Sequence, residues 1–376
     1  MTPQRPVNFS SLEYLQPIET YVPGLRIDAV TARFGVPAER VVKLGSGENP
    51  LGPSPKAVAA IKLALKDLAL YPDWRSEVLR EAIARHNALP REQVLVGSGE
   101  TELFSLIVRA FSEQAEAVLF PLPTFPIYAQ AALVERRQAV PVAADRLLQF
   151  DPEKLVHAVT AKTKIIFLTS PNNPLSTVIE REAIQYILDQ VDSEVLVLLD
   201  EAYVDYSESG TQLDLLGRYP NLIILRTFSK IYGLAGLRVG YAMAQAAIVQ
   251  ALMKLKPTWN IGNLASAGAA AALEDQEHYQ KTRQLVQAGR QYLIGRLSEF
   301  TNLAVIMKPQ ANFLCLRIRE GDISSTDLFE GLLQGGIITK DCSVSFQGLG
   351  DRCIRVDVSV KPKMDRFLER LATLIT

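Results

Sequence analysis

Read from its amino terminus, the chain alternates between two hydrophobic textures. Short apolar runs bounded by turn residues recur at VVKLGSG (41–47), QVLVGSG (93–99), AVLFPLPTF (117–125), KTKIIFLTSP (162–171), EVLVLLDEAY (194–203), NLIILRTFSK (221–230) and RVGYAMA (238–244). Runs of this kind predict buried strands. Between them, AVAAIKLALKDL, SEVLREAIARHNA, ETELFSLIVRAF and EREAIQYILDQ carry apolar residues at helical spacing. The resulting β-α alternation predicts an α/β protein with a mostly parallel sheet covered by helices on both faces.

After about residue 262 the texture changes. A long helical stretch, NLASAGAAAALEDQEHYQKTRQLVQAGRQYLIGRL, is followed by strand patterns at LAVIMKPQANFLCLRI and CIRVDVSV and by a closing helix, MDRFLERLATLI. The expected organisation is an amino-terminal arm and start of a small domain (1–35), a large domain (36–262), and a connecting helix with a small α+β domain (263–376). In a parallel sheet, ligands gather beyond the carboxyl ends of the strands, so residues that follow strands carry most of the functional interest.

Composition narrows the function classes. With 376 residues and 48% hydrophobic content the chain can bury a sizeable core. Forty basic residues oppose forty-one acidic ones without any basic run, which argues against a nucleic-acid partner. No apolar run approaches the ~18 to 20 residues needed to cross a bilayer, and MTPQRPVNFS lacks the apolar core of a signal peptide, so no membrane association and a cytoplasmic location are expected. Three cysteines (Cys315, Cys342, Cys353) and three histidines (His86, His157, His278) show no metal-binding spacing. Demanding chemistry would therefore need an organic cofactor and no metal.

One constellation supplies candidates for such chemistry. Lys230 ends a buried apolar run, with Ser229 before it and Arg238 eight residues on; a lysine among apolar and cationic neighbours can lose its proton and attack a carbonyl. Asp200 closes the run EVLVLL, where an unpaired carboxylate is costly. It reads either as a helix N-cap or as the partner of a buried cation such as a protonated pyridine nitrogen. Tyr203, three residues on, and Asn173 of TSPNNPLS could donate to a ring oxygen, although Asn173 before a proline is also an ordinary turn residue. Gly99, Glu100 and Thr101 offer backbone amides at a helix start, and Ser229 with Arg238 could complete a phosphate cup. Phe125 reads equally as core or as a platform for a flat ring.

With these residues on the page, the motifs YVPG, SGENPLGPSP, YPDW, SPNNP, DEAYVDY, LRTFSKIYGLAGLRVGY, NFLCLR and IRVDVSV together resemble the class I/II aminotransferases of pyridoxal-phosphate fold type I, over residues 21 to about 360. Within that group the chain is most similar to the histidinol-phosphate aminotransferases. The resemblance implies a large domain on a mostly parallel seven-stranded sheet, a smaller α+β domain, and pyridoxal 5'-phosphate as cofactor. It implies that Lys230 is the Schiff-base lysine, that Asp200 pairs with the pyridine nitrogen, that Tyr203 and Asn173 hold the ring oxygen and that Phe125 stacks. Gly99, Glu100, Thr101, Ser229 and Arg238 would take the cofactor phosphate, joined by Tyr71 from the other subunit of a homodimer.

The resemblance also implies that Arg355 binds the substrate's anionic group and that Tyr21 covers its side chain. The small-molecule partners would be histidinol phosphate, as amino donor, and 2-oxoglutarate. Three departures bear on substrate: NPTG becomes NPLS, the asparagine before ENP becomes Gly47, and a second substrate arginine becomes Lys340. GETE, PTWNIGNLA and QANFLCLRI are also similar to threonine-phosphate decarboxylase of cobalamin synthesis, and an aromatic amino acid aminotransferase is a further alternative. A non-catalytic protein of the same fold is the least favoured, because lysine, aspartate, tyrosine and arginine are all retained.

Overall fold

The computed structural model describes residues 13–16, 18–306, 308–319 and 323–375. In chain order the strands are β1 (Val42–Lys43), β2 (Val94–Gly97), β3 (Ala117–Leu122), β4 (Gln138–Ala143), β5 (Thr163–Thr169), β6 (Leu196–Asp200), β7 (Leu222–Thr227), β8 (Gly240–Met243), β9 (Leu303–Val305), β10 (Phe313–Ile318), β11 (Ile337–Ile338), β12 (Lys340–Asp341) and β13 (Cys353–Asp357). Seven of them form a central sheet in the order β2-β8-β7-β6-β5-β3-β4. All neighbouring pairs are parallel except the two made by β8, which runs antiparallel to β2 and to β7.

The continuous apolar runs have a direct structural cause. Side chains alternate across a strand, and here both faces are buried. Ile166, Leu168, Val197, Leu199, Leu222 and Ile224 enter one core, whereas Ile165, Phe167, Leu196, Leu198, Ile223 and Leu225 enter the other. No polar face remains, so the sequence shows no period of two. The register Thr169↔Asp200 brings the carboxyl ends of β5 and β6 level.

The membership of the sheet differs from the seven apolar runs in one exchange. The run at 41–47 contributes only the two residues of β1, which pair in parallel with β11 outside the central sheet. The seventh central strand is β4, QAVPVA, at the sheet edge beside β3. Its exposed and half-buried residues and its Pro141 weaken the apolar signal. Proline is tolerated there because one side of an edge strand needs no ladder bond.

Beyond the central sheet, the long helical stretch divides into Asn263–Leu273 and Gln276–Leu297, and Asp275 caps the second helix by accepting from the His278 amide at 3.3 Å. That helix packs on the second sheet so closely that a Cβ on Gly289 would come within 2.6 Å of Val358 Cγ1. The second sheet is antiparallel, in the order β12-β13-β10-β9. The segment 45–47 lies against the start of β12, where a Cβ on Gly45 would collide with the Thr339 carbonyl. The ends of the two sheets therefore face one another across residues 45–47. Among the described residues, no helix is long and apolar enough to cross a membrane.

Candidate active site

A cavity of ≈ 260 Å³ opens where the carboxyl ends of β5, β6 and β7 meet β12 and β13. Its floor is Asp200, the last residue of β6, only 4% exposed. One carboxylate oxygen accepts the Ala202 amide at 2.9 Å and the other accepts the Tyr128 hydroxyl at 2.6 Å. Tyr128 in turn lies 2.5 Å from the Thr169 hydroxyl. Burial pushes the Asp200 carboxyl up to about 6, while the bonds from Tyr128 and Ala202 and the charge of Lys230 pull it back. The floor therefore holds a carboxylate suited to a cationic ring nitrogen.

Lys230 stands across the cavity. Its Nζ donates to the Ser46 carbonyl at 3.3 Å and sits 5.2 Å from the centre of the Tyr203 ring, which is itself fixed edge-on against Phe313. Gly47 makes room for this amine: its φ is +64°, and a Cβ there would lie 3.3 Å from Lys230 Nζ. The Gly47 amide donates to Asp357 at 2.6 Å and its carbonyl accepts from Asn312 at 3.1 Å. Gly47 is thus held through both of its backbone polar groups by side chains of the second sheet and its flank.

The anion cup is built at the start of the helix Glu100–Phe111, capped by Gly99 at φ +76°. A Cβ on Gly99 would collide with the Arg238 guanidinium, which donates to Ser229 Oγ at 3.3 Å. Gly99 itself does not line the cavity; it backs Arg238. Glu100 and Thr101 do line it. The Glu100 carboxyl has one buried oxygen unpartnered among the described residues, and burial together with nearby Asp200 holds it well above the usual carboxylate range. Backbone amides, a hydroxyl and a guanidinium converge there as an anion site requires.

The opposite wall carries two further cations. Arg355 is buried over the Phe313 ring, 4.6 Å from its centre, and donates to the Gly45 carbonyl and to Asn173 Oδ1, both at 2.8 Å. Asp357 lies 3.6 Å from it. Lys340 donates to the Val22 carbonyl at 3.1 Å and stands 5.8 Å from the centre of the Tyr21 ring. Burial, and then the charge of Arg355, lower the Lys340 ammonium to about 8. Tyr21 meets Phe125 edge-on at 6.0 Å, so arm and platform close the cavity from the side.

Every site residue expected from the sequence borders this cavity or backs a residue that does, except Tyr71. Tyr71 is 80% exposed and stacks on Trp259 at 4.5 Å, away from the cavity. Three residues carry little sequence signal: Tyr128, which lines the cavity, and Asp357 and Asn312, which hold Gly47 behind its wall. The only sequence signal for Tyr128 is its place just after PTFP beyond a strand end. Asp357 stands two residues after Arg355 and so shares its strand face.

The set fits pyridoxal 5'-phosphate: a buried carboxylate for the ring nitrogen, an amine for the carbonyl carbon, and a glycine-backed cup for the phosphate. Fold and cavity together define a pyridoxal-phosphate enzyme of fold type I. The chain belongs to the aminotransferase class I and II family, whose model matches residues 39–371. It is 36% identical over 360 residues to a histidinol-phosphate aminotransferase of Methanothermobacter thermautotrophicus, covering 95% of each chain. A histidinol-phosphate aminotransferase of Anaeromyxobacter sp. is 38% identical, with 94% of this chain and 96% of that one covered. Among solved structures, histidinol-phosphate aminotransferase from Sinorhizobium meliloti in complex with pyridoxal-5'-phosphate superposes with a TM-score of 0.87 at 25% identity, covering 98% of both chains.

Proposed function

We propose that the enzyme transfers the amino group of histidinol phosphate to 2-oxoglutarate, giving imidazole acetol phosphate and glutamate in histidine biosynthesis. The observation that carries this is the pairing of Lys340 with Arg355 on one wall of the cavity. Histidinol phosphate has no carboxylate, and two adjacent cations match a doubly charged phosphate. Near-full-length similarity to histidinol-phosphate aminotransferases supports the same reading.

Bound in the cavity, pyridoxal 5'-phosphate supplies an electrophilic carbon for the substrate amine and a ring that takes up the electron pair released beside it. The protein's own groups do the rest. Lys230 Nζ would hold the cofactor and, with substrate in place, would act as the base that takes the proton from the nitrogen-bearing carbon, help worth about 10² to 10⁴ in rate. Asp200 keeps a proton on the ring nitrogen. Tyr203 and Asn173, whose NH₂ group remains a donor while its oxygen serves Arg355, hold the ring oxygen. Arg355 and Lys340 would fix the anionic group and so orient the substrate's nitrogen-bearing carbon in the cavity.

The assembly belongs to the same proposal. Leu63, Leu65, Leu68, Leu70, Tyr71 and Val78 are at least half exposed on one stretch of chain, and exposed apolar patches of this kind mark contact surfaces. A homodimer formed there would let Tyr71 reach the phosphate cup of the partner. A cytoplasmic location and the division into an arm at 1–35, a large domain at 36–262 and a small domain at 263–376 complete the reading.

The deciding experiment offers purified protein histidinol phosphate, threonine phosphate and phenylalanine, each with and without 2-oxoglutarate, and measures keto product and carbon dioxide. Glutamate formed from histidinol phosphate is the expected result. Carbon dioxide released from threonine phosphate, with no turnover of histidinol phosphate, would overturn it in favour of a decarboxylase.

A further inference from the structure

The carboxylate of Glu102 sits behind the phosphate cup and is bonded away from it. One oxygen, Oε2, accepts the Ser98 amide at 2.7 Å and the Asn260 side-chain amide at 2.6 Å. Ser98 is the middle residue of the turn between Gly97 and Gly99, the turn that presents the helix amides and backs Arg238. Space around this oxygen is tight, since a Cβ on Gly97 would stand 3.1 Å from it.

Asn260 comes from a segment 158 residues further along the chain. Its other amide atom, Oδ1, accepts the Lys256 ammonium at 2.6 Å. Lys256 is 9% exposed, and among the described residues its remaining hydrogen bond is a longer one to the Pro257 carbonyl at 3.4 Å. A buried ammonium directed at an amide oxygen has a specific consequence. It settles which end of Asn260 faces Glu102, because an ammonium can only donate and the opposite amide nitrogen must then donate onward. The loop between Lys256 and Asn260 also carries Trp259, at φ +58°, on which Tyr71 stacks.

We propose that Lys256, Asn260 and Glu102 form a positioning relay for the phosphate cup, in which the lysine orients the amide, the amide anchors the carboxylate, and the carboxylate holds the Gly97–Gly99 turn in its anion-binding shape. This rests on the reading that the cup takes the cofactor phosphate. None of the three residues contributes its side chain to the cavity wall, so they act through the turn, and their removal weakens phosphate binding without removing a phosphate ligand. A correctly held set of backbone donors distinguishes a phosphate-bearing ligand from the same ring without phosphate.

The test is titration of wild-type protein, Asn260→Ala and Lys256→Met with pyridoxal 5'-phosphate and, separately, with pyridoxal, followed by the absorbance that appears on attachment to Lys230. Asn260→Ala is expected to weaken pyridoxal 5'-phosphate roughly tenfold to a hundredfold, the range of a hydrogen bond to a charged group, and to leave pyridoxal unchanged. Lys256→Met, of similar length and without charge, should lose less but in the same direction, and it serves in place of Asn260→Ala if that variant does not fold. Equal weakening of both ligands, or of neither, overturns the relay. Wild-type protein that binds pyridoxal as tightly as its phosphate overturns instead the reading of the cup as a phosphate site, and the relay with it.

Discussion

Lys340 and Arg355 are direct partners across the antiparallel pair of β12 and β13, so both cationic side chains enter one cavity from the same face of one sheet. Burial, and then the charge of the nearby guanidinium, lower the Lys340 ammonium to about 8, whereas the Arg355 guanidinium, buried too but beside Asp357, stays protonated.

That asymmetry predicts a pH effect on substrate binding. Below pH 8 the pocket presents two cations, and as pH rises through about 8 Lys340 loses its proton and one remains. KM for histidinol phosphate should therefore rise through pH 8. In Lys340→Arg, whose guanidinium does not titrate there, KM should stay flat. Lys340→Ala should cost about 1.5 to 3 kcal/mol in kcat/KM for histidinol phosphate while barely changing phenylalanine turnover. A KM equally insensitive to pH in wild type and Lys340→Arg would show that this lysine does not meet the phosphate.

Asp200 gives a second pH prediction. Its carboxyl ionises as pH rises through about 6, so pairing with a protonated ring nitrogen strengthens over that range. The Tyr128 hydrogen bond favours the ionised form. Tyr128→Phe should move the acid limb of cofactor binding to higher pH, measured by titrating cofactor-free protein across the limb. An unmoved limb would mean that Tyr128 is a packing residue only.

Lys230→Ala should abolish borohydride-reducible attachment of the cofactor while leaving the fold intact. Mass mapping of the reduced wild-type protein should find the label on Lys230, and label on another lysine would sink the assignment. Asp200→Asn should retain cofactor yet lose several orders of magnitude in turnover, since a neutral amide cannot hold the ring proton.

For the shared site, Lys230→Ala and Tyr71→Ala proteins should each be impaired alone. Mixed after dissociation, they should regain activity through hybrid dimers in which one site carries neither substitution. Sedimentation of fully active protein as a monomer would contradict the shared site.

Much of the chemistry was legible in the sequence because strand-end positions are local information. An apolar run fixes where a buried strand stops, and the residue that follows it is placed by that fact alone: Asp200 after EVLVLL, Lys230 after NLIILRTFS. Glycines with positive φ at 47 and 99 likewise mark tight turns. The one error of strand membership has the same origin in reverse. β4 is a half-exposed edge strand broken by Pro141, so burial left little imprint on its sequence, whereas the buried residues of β1 look like a central strand although they pair elsewhere.

What the sequence determined by itself was the two textures of the chain and most residues of the cavity, which follow from burial and spacing within short windows, while the cofactor class rested on the joint resemblance of motifs spread over residues 21 to about 360. The tertiary structure alone decided how distant segments meet. The Tyr128 bond to Asp200 spans 72 residues, the Gly47 bond to Asp357 spans 310, and the facing of Lys340 and Arg355 depends on the register of two short strands. No local pattern encodes these contacts, because a hydrogen bond or a cross-strand pair depends on the path of the chain between its partners, and that path is settled only when the whole core packs.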